Sequence, residues 1–234
     1  MPPAYDEQMT PAPAAPRVAG LVLAAGAGTR MGMPKALVTD LTTGEPWLSR
    51  AVRLLHATGC SPVVVVLGAE QERARALLPP EVPVQVVVAE HWADGLGASL
   101  RAGLTALAEG RSAGAATDAV LVTLVDLPHL HPGSLTRLIA DAPAPSEATG
   151  PHPAGAAITP AEPAALAPDT LRQAVYDGRP GHPVLIGADH ILPLIATLGG
   201  DTGARPYLRA HHATLIDCSD LGGGDDVDAL PRMS

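Results

Sequence analysis

The residues most able to do chemistry lie between Leu21 and Lys35, in the stretch LVLAAGAGTRMGMPK. The apolar run Val18 to Leu23 enters a glycine-rich turn there. Such a turn aims several backbone N–H groups at one point, and its glycines let a ligand approach the main chain closely. Arg30 contributes a planar fork of donors and Lys35 a point charge. The combination is a cradle for a polyphosphate. Other phosphate loops fit less well. A dinucleotide fingerprint wants glycine at its first, third and sixth positions. Gly26 and Gly28 satisfy two of these, but the third falls on Met31 and Gly32 comes one residue late, which disfavours an oxidoreductase that binds NAD(P). A Walker loop wants Gly-Lys-Ser/Thr, whereas Lys35 stands between Pro34 and Ala36. A purely structural turn has no need of Arg30 and Lys35 so close together.

Asp126 is the second group with chemical potential. It follows the apolar run Ala119 to Val125, so it sits at the C-terminal end of a buried strand, where open α/β sheets gather ligands. A carboxylate there suits Mg²⁺, which prefers oxygen ligands and leaves coordination positions for substrate phosphates. The plainer alternative is that Asp126 caps the following turn. Cys60 and Cys218 form no ligand pattern and read as reduced thiols, and His129, His131, His211 and His212 have no metal spacing.

These groups need a scaffold, and the apolar periodicity supplies one. Strands are expected at Val18–Leu23, Pro62–Leu67, Val84–Val88, Ala119–Leu124 and Ala213–Asp217. Helices are expected over Pro46–Thr58, Glu70–Leu78, Ala98–Ala108, Pro132–Ala140, His190–Leu198 and Thr202–His211. Leu171–Tyr176 and His182–Ile186 flank a turn at Asp177–Gly181 and read as a hairpin. Alternation of this kind implies βαβ units and a mainly parallel sheet. Residues 1–17 read as a flexible Pro/Ala-rich tail, and 18–234 as one domain interrupted by an Ala/Pro-rich loop or insertion at 142–170.

The run from Leu23 to Lys35 resembles the Leu-Ala-Ala-Gly-x-x-x-Arg-Met-Gly-x-x-Lys signature of the NTP-transferase family that includes the molybdenum cofactor cytidylyltransferases and guanylyltransferases. Further blocks follow in the family's order. Trp92, Gly95, Ser99, Leu100 and Gly103 resemble its Trp-x-x-Gly segment, and Asp126-Leu127-Pro128 its Asp-x-Pro metal site. Gly181-His182-Pro183-Val184 and Gly200 to Arg205 resemble its C-terminal motifs. The resemblance implies a three-layer, Rossmann-like nucleotidyltransferase (GT-A-like) α/β fold with a mainly parallel central sheet. It implies a nucleotide site at Leu23, Ala24, Ala25, Gly26, Gly28, Arg30, Lys35, Gly95 and Ser99, and an acceptor site at His182, Asp201 and Arg205. In this reading Arg30 holds the departing β- and γ-phosphates and Lys35 neutralises charge at the α-phosphate. Mg²⁺ is held by Asp126, with a second carboxylate from the C-terminal Asp226-Val227-Asp228. Here Ala229-Leu230-Pro231 replaces the family's Thr-Pro continuation, which leaves the choice between Asp226 and Asp228 open. For Ser99, helix cap and substrate contact both stand; for His182, so do a structural and an acceptor role. Asp201 and Arg205, four residues apart, are expected to share a helical face.

The implied reaction passes a nucleoside monophosphate from a nucleoside triphosphate to a phosphorylated small molecule, with molybdopterin the favoured acceptor and a sugar phosphate the alternative. The Ala24-Ala25-Gly26 form of the loop resembles the cytidylyltransferases more than the Ala-Gly-Gly of guanylyltransferases, which favours CTP. Related domains also serve cofactor insertion, so contact with a molybdoenzyme or maturation factor, or a non-catalytic chaperone role, belongs to the same expectation. Composition narrows the rest. Residues are 47% hydrophobic, which rules out wholesale disorder, and a net charge of −9 opposes binding to nucleic acid or anionic membranes. The run Val63–Leu67 is far shorter than the ~20 residues that span a bilayer. Asp6 and Glu7 oppose a secretory signal, and a cytoplasmic location is expected.

Overall fold

The structure, a computed structural model, describes residues 15–114, 117–140 and 166–228. The tail read over 1–17 and the segment read over 142–170 lie outside these residues, apart from 15–17 and 166–170.

Seven strands form one sheet: β1 (Val18–Ala24), β2 (Val63–Leu67), β3 (Val84–Val88), β4 (Ala119–Leu124), β5 (Leu171–Tyr176), β6 (Arg179–Gly187) and β7 (Thr214–Asp217). They lie in the order β3-β2-β1-β4-β6-β5-β7, and only β6 runs against its neighbours. The central strands are unbroken apolar runs because helices cover both of their faces. Val22 and Ala24 of β1 pack with Trp47, Leu48, Val52 and Leu55 of α1 (Trp47–Ala57), Ala74 of α2 (Gln71–Arg75) and Leu135 and Leu138 of α4 (Pro132–Ala140). Leu21 and Leu23 point the other way. They meet Leu100, Leu104 and Leu107 of α3 (Leu96–Ser112), Ile191 and Leu194 of α5 (Ala188–Thr197), and Tyr207 and Leu208 of α6 (Arg205–Ala210). This is the three-layer α/β arrangement that the sequence implied. Among the described residues no helix is long and apolar enough to cross a membrane.

Several element boundaries differ from expectation, and three of them have a clear local reason. Helix α3 starts at Leu96 rather than Ala98, because Gly95 with φ 118° turns the chain sharply out of the preceding 3-10 turn, Trp92–Asp94. Helix α6 starts at Arg205, where Pro206 is pre-organised for a first turn, and Thr202 is held in a separate turn by its N–H bond to Gly199 O at 3.1 Å. Helix α2 stops at Arg75; Leu77 and Leu78 turn more tightly, onto Ala74 O and Arg75 O, before Pro79 and Pro80. The hairpin turn is also tighter than expected. Asp177 (φ 50°) and Gly178 (φ 75°) form a two-residue loop, so β6 already begins at Arg179.

The sheet's topology sets where chemistry can occur. Strands β1, β2, β3 and β4 end at one edge, and β6 begins there because it runs the other way. Helix α3 lies close to that part of the sheet because Gly103 carries no side chain: a Cβ there would stand 2.7 Å from both Leu21 Cδ1 and Val66 Cγ2. We expect Gly103→Val to lower stability by about 1–3 kcal/mol through overpacking, although valine is the better helix former. Urea unfolding followed by circular dichroism measures it, and an unchanged midpoint would contradict this packing.

Candidate active site

The glycine-rich turn is tied down at both ends. Ala25, just past β1, is buried, and its carbonyl accepts the Ala69 N–H at 3.0 Å, linking the exits of β1 and β2. Gly28 has φ 60° and lies against Met33 O, so any Cβ at this position would overlap that carbonyl. The turn closes with Leu37 N–H on Pro34 O at 2.9 Å, and buried Ala36 and Leu37 anchor the short 3-10 turn Lys35–Leu37. Lys35 is thereby directed back across the strand ends.

Its ammonium meets two carboxylates. Lys35 Nζ donates to Asp126 Oδ2 at 2.7 Å and to Asp228 Oδ1 at 2.7 Å. Arg30 Nη1 lies 3.4 Å from Asp228 Oδ2. Asp126 is placed by β4, which extends its pairing with β1 through Val125 N–H on Leu23 O at 3.1 Å. Asp228 is placed by Val227, whose N–H donates to Asp126 O at 3.0 Å. Asp126 Oδ1 is buried and has no hydrogen-bond partner among the described residues. Burial alone would lower the Lys35 pKa, but the hydrogen bonds and charges of Asp126 and Asp228 together raise it above the ordinary 10.5. Asp228 is held below the ordinary 3.8 by its hydrogen bond to Lys35 and then by that residue's charge. Lys35 and Asp228 are therefore set to carry charge at neutral pH.

A cleft of about 290 Å³ opens over this junction, with Leu23, Ala24, Ala25, Gly26, Gly28, Lys35 and Asp126 on one side and Trp92, Gly95, Leu96 and Ser99 on the other. The expected nucleotide residues thus converge on one space, except Arg30, which does not line it and is 82% exposed beside Asp228. Ser99 is no helix cap. Gly95 occupies that position, and Ser99 is a buried residue inside α3.

His182, Asp201 and Arg205 line a second cavity, of about 340 Å³, which shares Leu23 and Leu96 with the first. Burial lowers the His182 pKa below the ordinary 6.5, which favours the uncharged ring at neutral pH, and its Nδ1 lies 3.4 Å from Val122 O. Asp201 and Arg205 do not share a helix as expected: Asp201 precedes α6, and no ion pair joins the two among the described residues. Asp226 is also apart from the Lys35 junction as a lining residue. It borders a third space, of about 1120 Å³, with Arg179, Arg205 and Arg209.

Two contributors escape a reading of the sequence. Gly68, directly after β2, leaves room for Trp92; a Cβ there would stand 2.5 Å from Trp92 Cγ and 2.6 Å from Ala25 O. Its signal is a glycine at the end of an apolar strand. Leu96, 42% exposed, stands where the cavities meet, and an exposed leucine at a helix start leaves no distinctive pattern.

Both the sequence and the fold of the chain match known proteins. The MobA-like NTP transferase domain matches residues 20–215. A protein named nicotine blue oxidoreductase, from Paenarthrobacter nicotinovorans, is 35% identical over 223 residues, covering 93% of this chain and 95% of that protein. A probable molybdenum cofactor guanylyltransferase from Rhodopirellula baltica is 34% identical over 129 residues, covering 55% of this chain and 57% of that protein. Among solved structures, a nucleotidyl transferase from Methanothermobacter thermautotroptrophicus aligns with a TM-score of 0.63 at 20% identity, over 91% of this chain and 92% of that one.

The charged junction fixes a pH signature. The depressed pKa of Asp228 contributes stability above 3.8, which is lost as the pH falls through the folded-state value. The raised pKa of Lys35 contributes below 10.5 and is lost as the pH rises through its folded-state value. The stability difference between the parent and Lys35→Gln should therefore be lost as the pH falls through the folded-state value of Asp228 and as it rises through that of Lys35. Urea unfolding across pH tests this; a difference that persists at pH well below 3.8 would show that the carboxylates are not involved.

Proposed function

The chain belongs to the MobA-like NTP transferase family, and on that premise we propose that it passes a nucleoside monophosphate from a nucleoside triphosphate to a phosphorylated acceptor. The observation that carries the reading is Lys35 Nζ held at 2.7 Å from both Asp126 and Asp228, beside the glycine-rich turn. The cleft over that junction abuts a second cavity, which supplies room for two substrates side by side.

In this reading the triphosphate lies along Gly26 to Lys35 and the acceptor lies near His182. A phosphate oxygen of the acceptor attacks the α-phosphorus, a new P–O bond forms, and the bond to the leaving pyrophosphate breaks. No general base is needed because a phosphate monoester is already ionised at neutral pH. Catalysis then reduces to alignment and charge stabilisation. Lys35 stabilises charge at the α-phosphate, and exposed Arg30 turns from Asp228 onto the departing phosphates. Neutral His182 offers the acceptor a hydrogen bond without charge, and Arg205 offers a cation.

The residues fit a divalent cation. Asp126 Oδ1 is a buried carboxylate oxygen without a partner, and Asp228 brings a second carboxylate to the same lysine. These two, rather than Asp226, would hold Mg²⁺, which supplies further neutralisation of phosphate charge when bound. For the base we favour CTP, because Ala25 narrows a cleft of about 290 Å³ where glycine would leave more room; GTP is the alternative. Molybdopterin is the favoured acceptor, in keeping with relatives named molybdenum cofactor guanylyltransferase. Transfer of the product to a molybdoenzyme or maturation factor, and a cytoplasmic setting, complete the proposal.

A second reading has its own support. The relative that matches 93% of this chain is named an oxidoreductase. A redox enzyme, however, has no evident use for a lysine bridging two carboxylates at a phosphate turn.

The deciding experiment offers CTP, GTP, ATP and UTP separately with molybdopterin and Mg²⁺, and measures pyrophosphate release. Release with CTP that requires both acceptor and Mg²⁺ is expected. Reduction of nicotine blue by NADH or NADPH, with no pyrophosphate from any nucleotide, would replace the transferase reading. Lys35→Ala should lower kcat by roughly 10²–10³-fold with KM changed only a few-fold, as for loss of one charge-stabilising donor. Asp126→Asn should leave a folded protein without measurable turnover, and retained activity would remove Asp126 from the mechanism.

A further inference from the structure

Residues Leu221 to Asp228, LGGGDDVD, form an arm across the sheet edge where β4 and β5 end. Its three consecutive glycines have different surroundings. Gly222 has open space where a Cβ would be. Gly223, with φ 76°, lies against the carbonyl of His129, which a Cβ would overlap. Gly224 lies on the ring of Tyr176, and a Cβ there would overlap Cγ, Cδ2 and Cε2.

The hydrogen bonds of the arm lie on either side of these contacts. Leu221 N–H donates to Cys218 O at 3.0 Å and Val227 N–H to Asp126 O at 3.0 Å, with none from residues 222–226 among the described residues. Between those two points the arm's height above the sheet is set by what the glycines rest on. One residue beyond Val227 is Asp228, whose Oδ1 receives Lys35 Nζ at 2.7 Å. Tyr176 is the last residue of β5 and is 9% exposed, so its ring is a fixed surface rather than a mobile one. The atoms nearest to Gly224 are the ring carbons Cγ, Cδ2 and Cε2. The ring, not the hydroxyl, therefore makes the contact.

We propose that Tyr176 is a positioning residue for Asp228 and acts through Gly224: the ring sets the level at which the arm crosses the sheet edge and so whether Asp228 reaches Lys35 and Asp126. The inference rests on the metal-binding part of the proposed function, because its consequence is the geometry of the Asp126–Asp228 pair. It concerns neither substrate nor reacting atoms.

The test measures Mn²⁺ binding, as a spectroscopically visible divalent probe, by calorimetry and electron paramagnetic resonance on the full chain without substrates. Asp228→Asn and Gly224→Val should each weaken Mn²⁺ binding, the latter by about 10–100-fold, the range seen when a supporting contact behind a metal ligand is lost. The double variant should bind no more weakly than Asp228→Asn alone, since Gly224 has no route to the metal except through Asp228. Thermal melting checks that each variant folds. If Gly224→Val does not fold, Tyr176→Leu should weaken Mn²⁺ binding and Tyr176→Phe should restore parental affinity, as the ring rather than the hydroxyl supports the arm. Parental affinity in the folded Gly224→Val or Tyr176→Leu variant, or full additivity with Asp228→Asn, would overturn the positioning role. Parental affinity in Asp228→Asn would overturn the metal reading itself and this inference with it.

Discussion

Everything at this site depends on one ammonium shared by two carboxylates from distant parts of the chain. Asp126 lies 91 residues and Asp228 lies 193 residues from Lys35 in sequence. Two acids brought together repel each other, and each disfavours ionisation of the other unless a cation stands between them. Lys35 is that cation. Its side chain is 18% exposed and that of Asp126 15%, so water screens their contact far less than it screens a surface pair. Asp228 is 48% exposed and its bond to Lys35 is correspondingly weaker as a source of stability. Its value lies in where it holds a carboxylate, not in how much it stabilises the fold.

The sheet makes that meeting possible. Strands β1 and β4 pair in parallel from Val18–Ala119 to Leu23–Leu124, so they end together, and the turn after one faces the acid after the other. Antiparallel β6 adds its beginning to the same edge and with it His182. Helix α3 closes the first cavity with its first turn, and that turn is locked to the wall of the second. Gly97 N–H donates to Gly200 O at 2.9 Å, and Gly95 lies so close to Asp201 that a Cβ would overlap it. The two candidate substrate cavities therefore share a wall made of two interlocked glycine turns. Neither turn can shift far without the other, which makes the spacing between the two cavities a property of the fold rather than of side-chain rotamers.

Much of this was legible in the sequence because the relevant physics is local. A strand covered on both faces must be apolar throughout, so Val63–Leu67 announces itself. A phosphate turn needs glycines and cations within a few residues, so Gly26 to Lys35 does as well. The illegible parts are contacts between distant segments. Ser99 resembled a helix cap by residue type near a helix start; Gly95 takes that position and leaves Ser99 inside the first turn. Asp226 and Asp228 have the same chemistry two residues apart, and the path of a glycine arm over Tyr176 separates them. Gly68 and Trp92 fit each other across two loops and leave no local pattern.

The charge balance of the centre carries the argument one step further. Arg30 and Lys35 face Asp126 and Asp228, two cations against two anions, within a chain of net charge −9. A free triphosphate approaching this edge gains nothing from net charge and is opposed at long range by the protein's own field. Its affinity must come from short-range, directional donors, namely the backbone N–H groups of the turn and the two basic side chains once they let go of the carboxylates. Releasing them is unfavourable unless the carboxylates receive another cation in exchange. A nucleotide that arrives with a divalent ion satisfies both demands at once: its own charge is reduced on approach, and Asp126 and Asp228 gain the partner that frees Lys35 and Arg30 for phosphate. In the proposed function, a neutral centre in an acidic protein thus selects for a metal-bound nucleotide over a bare one.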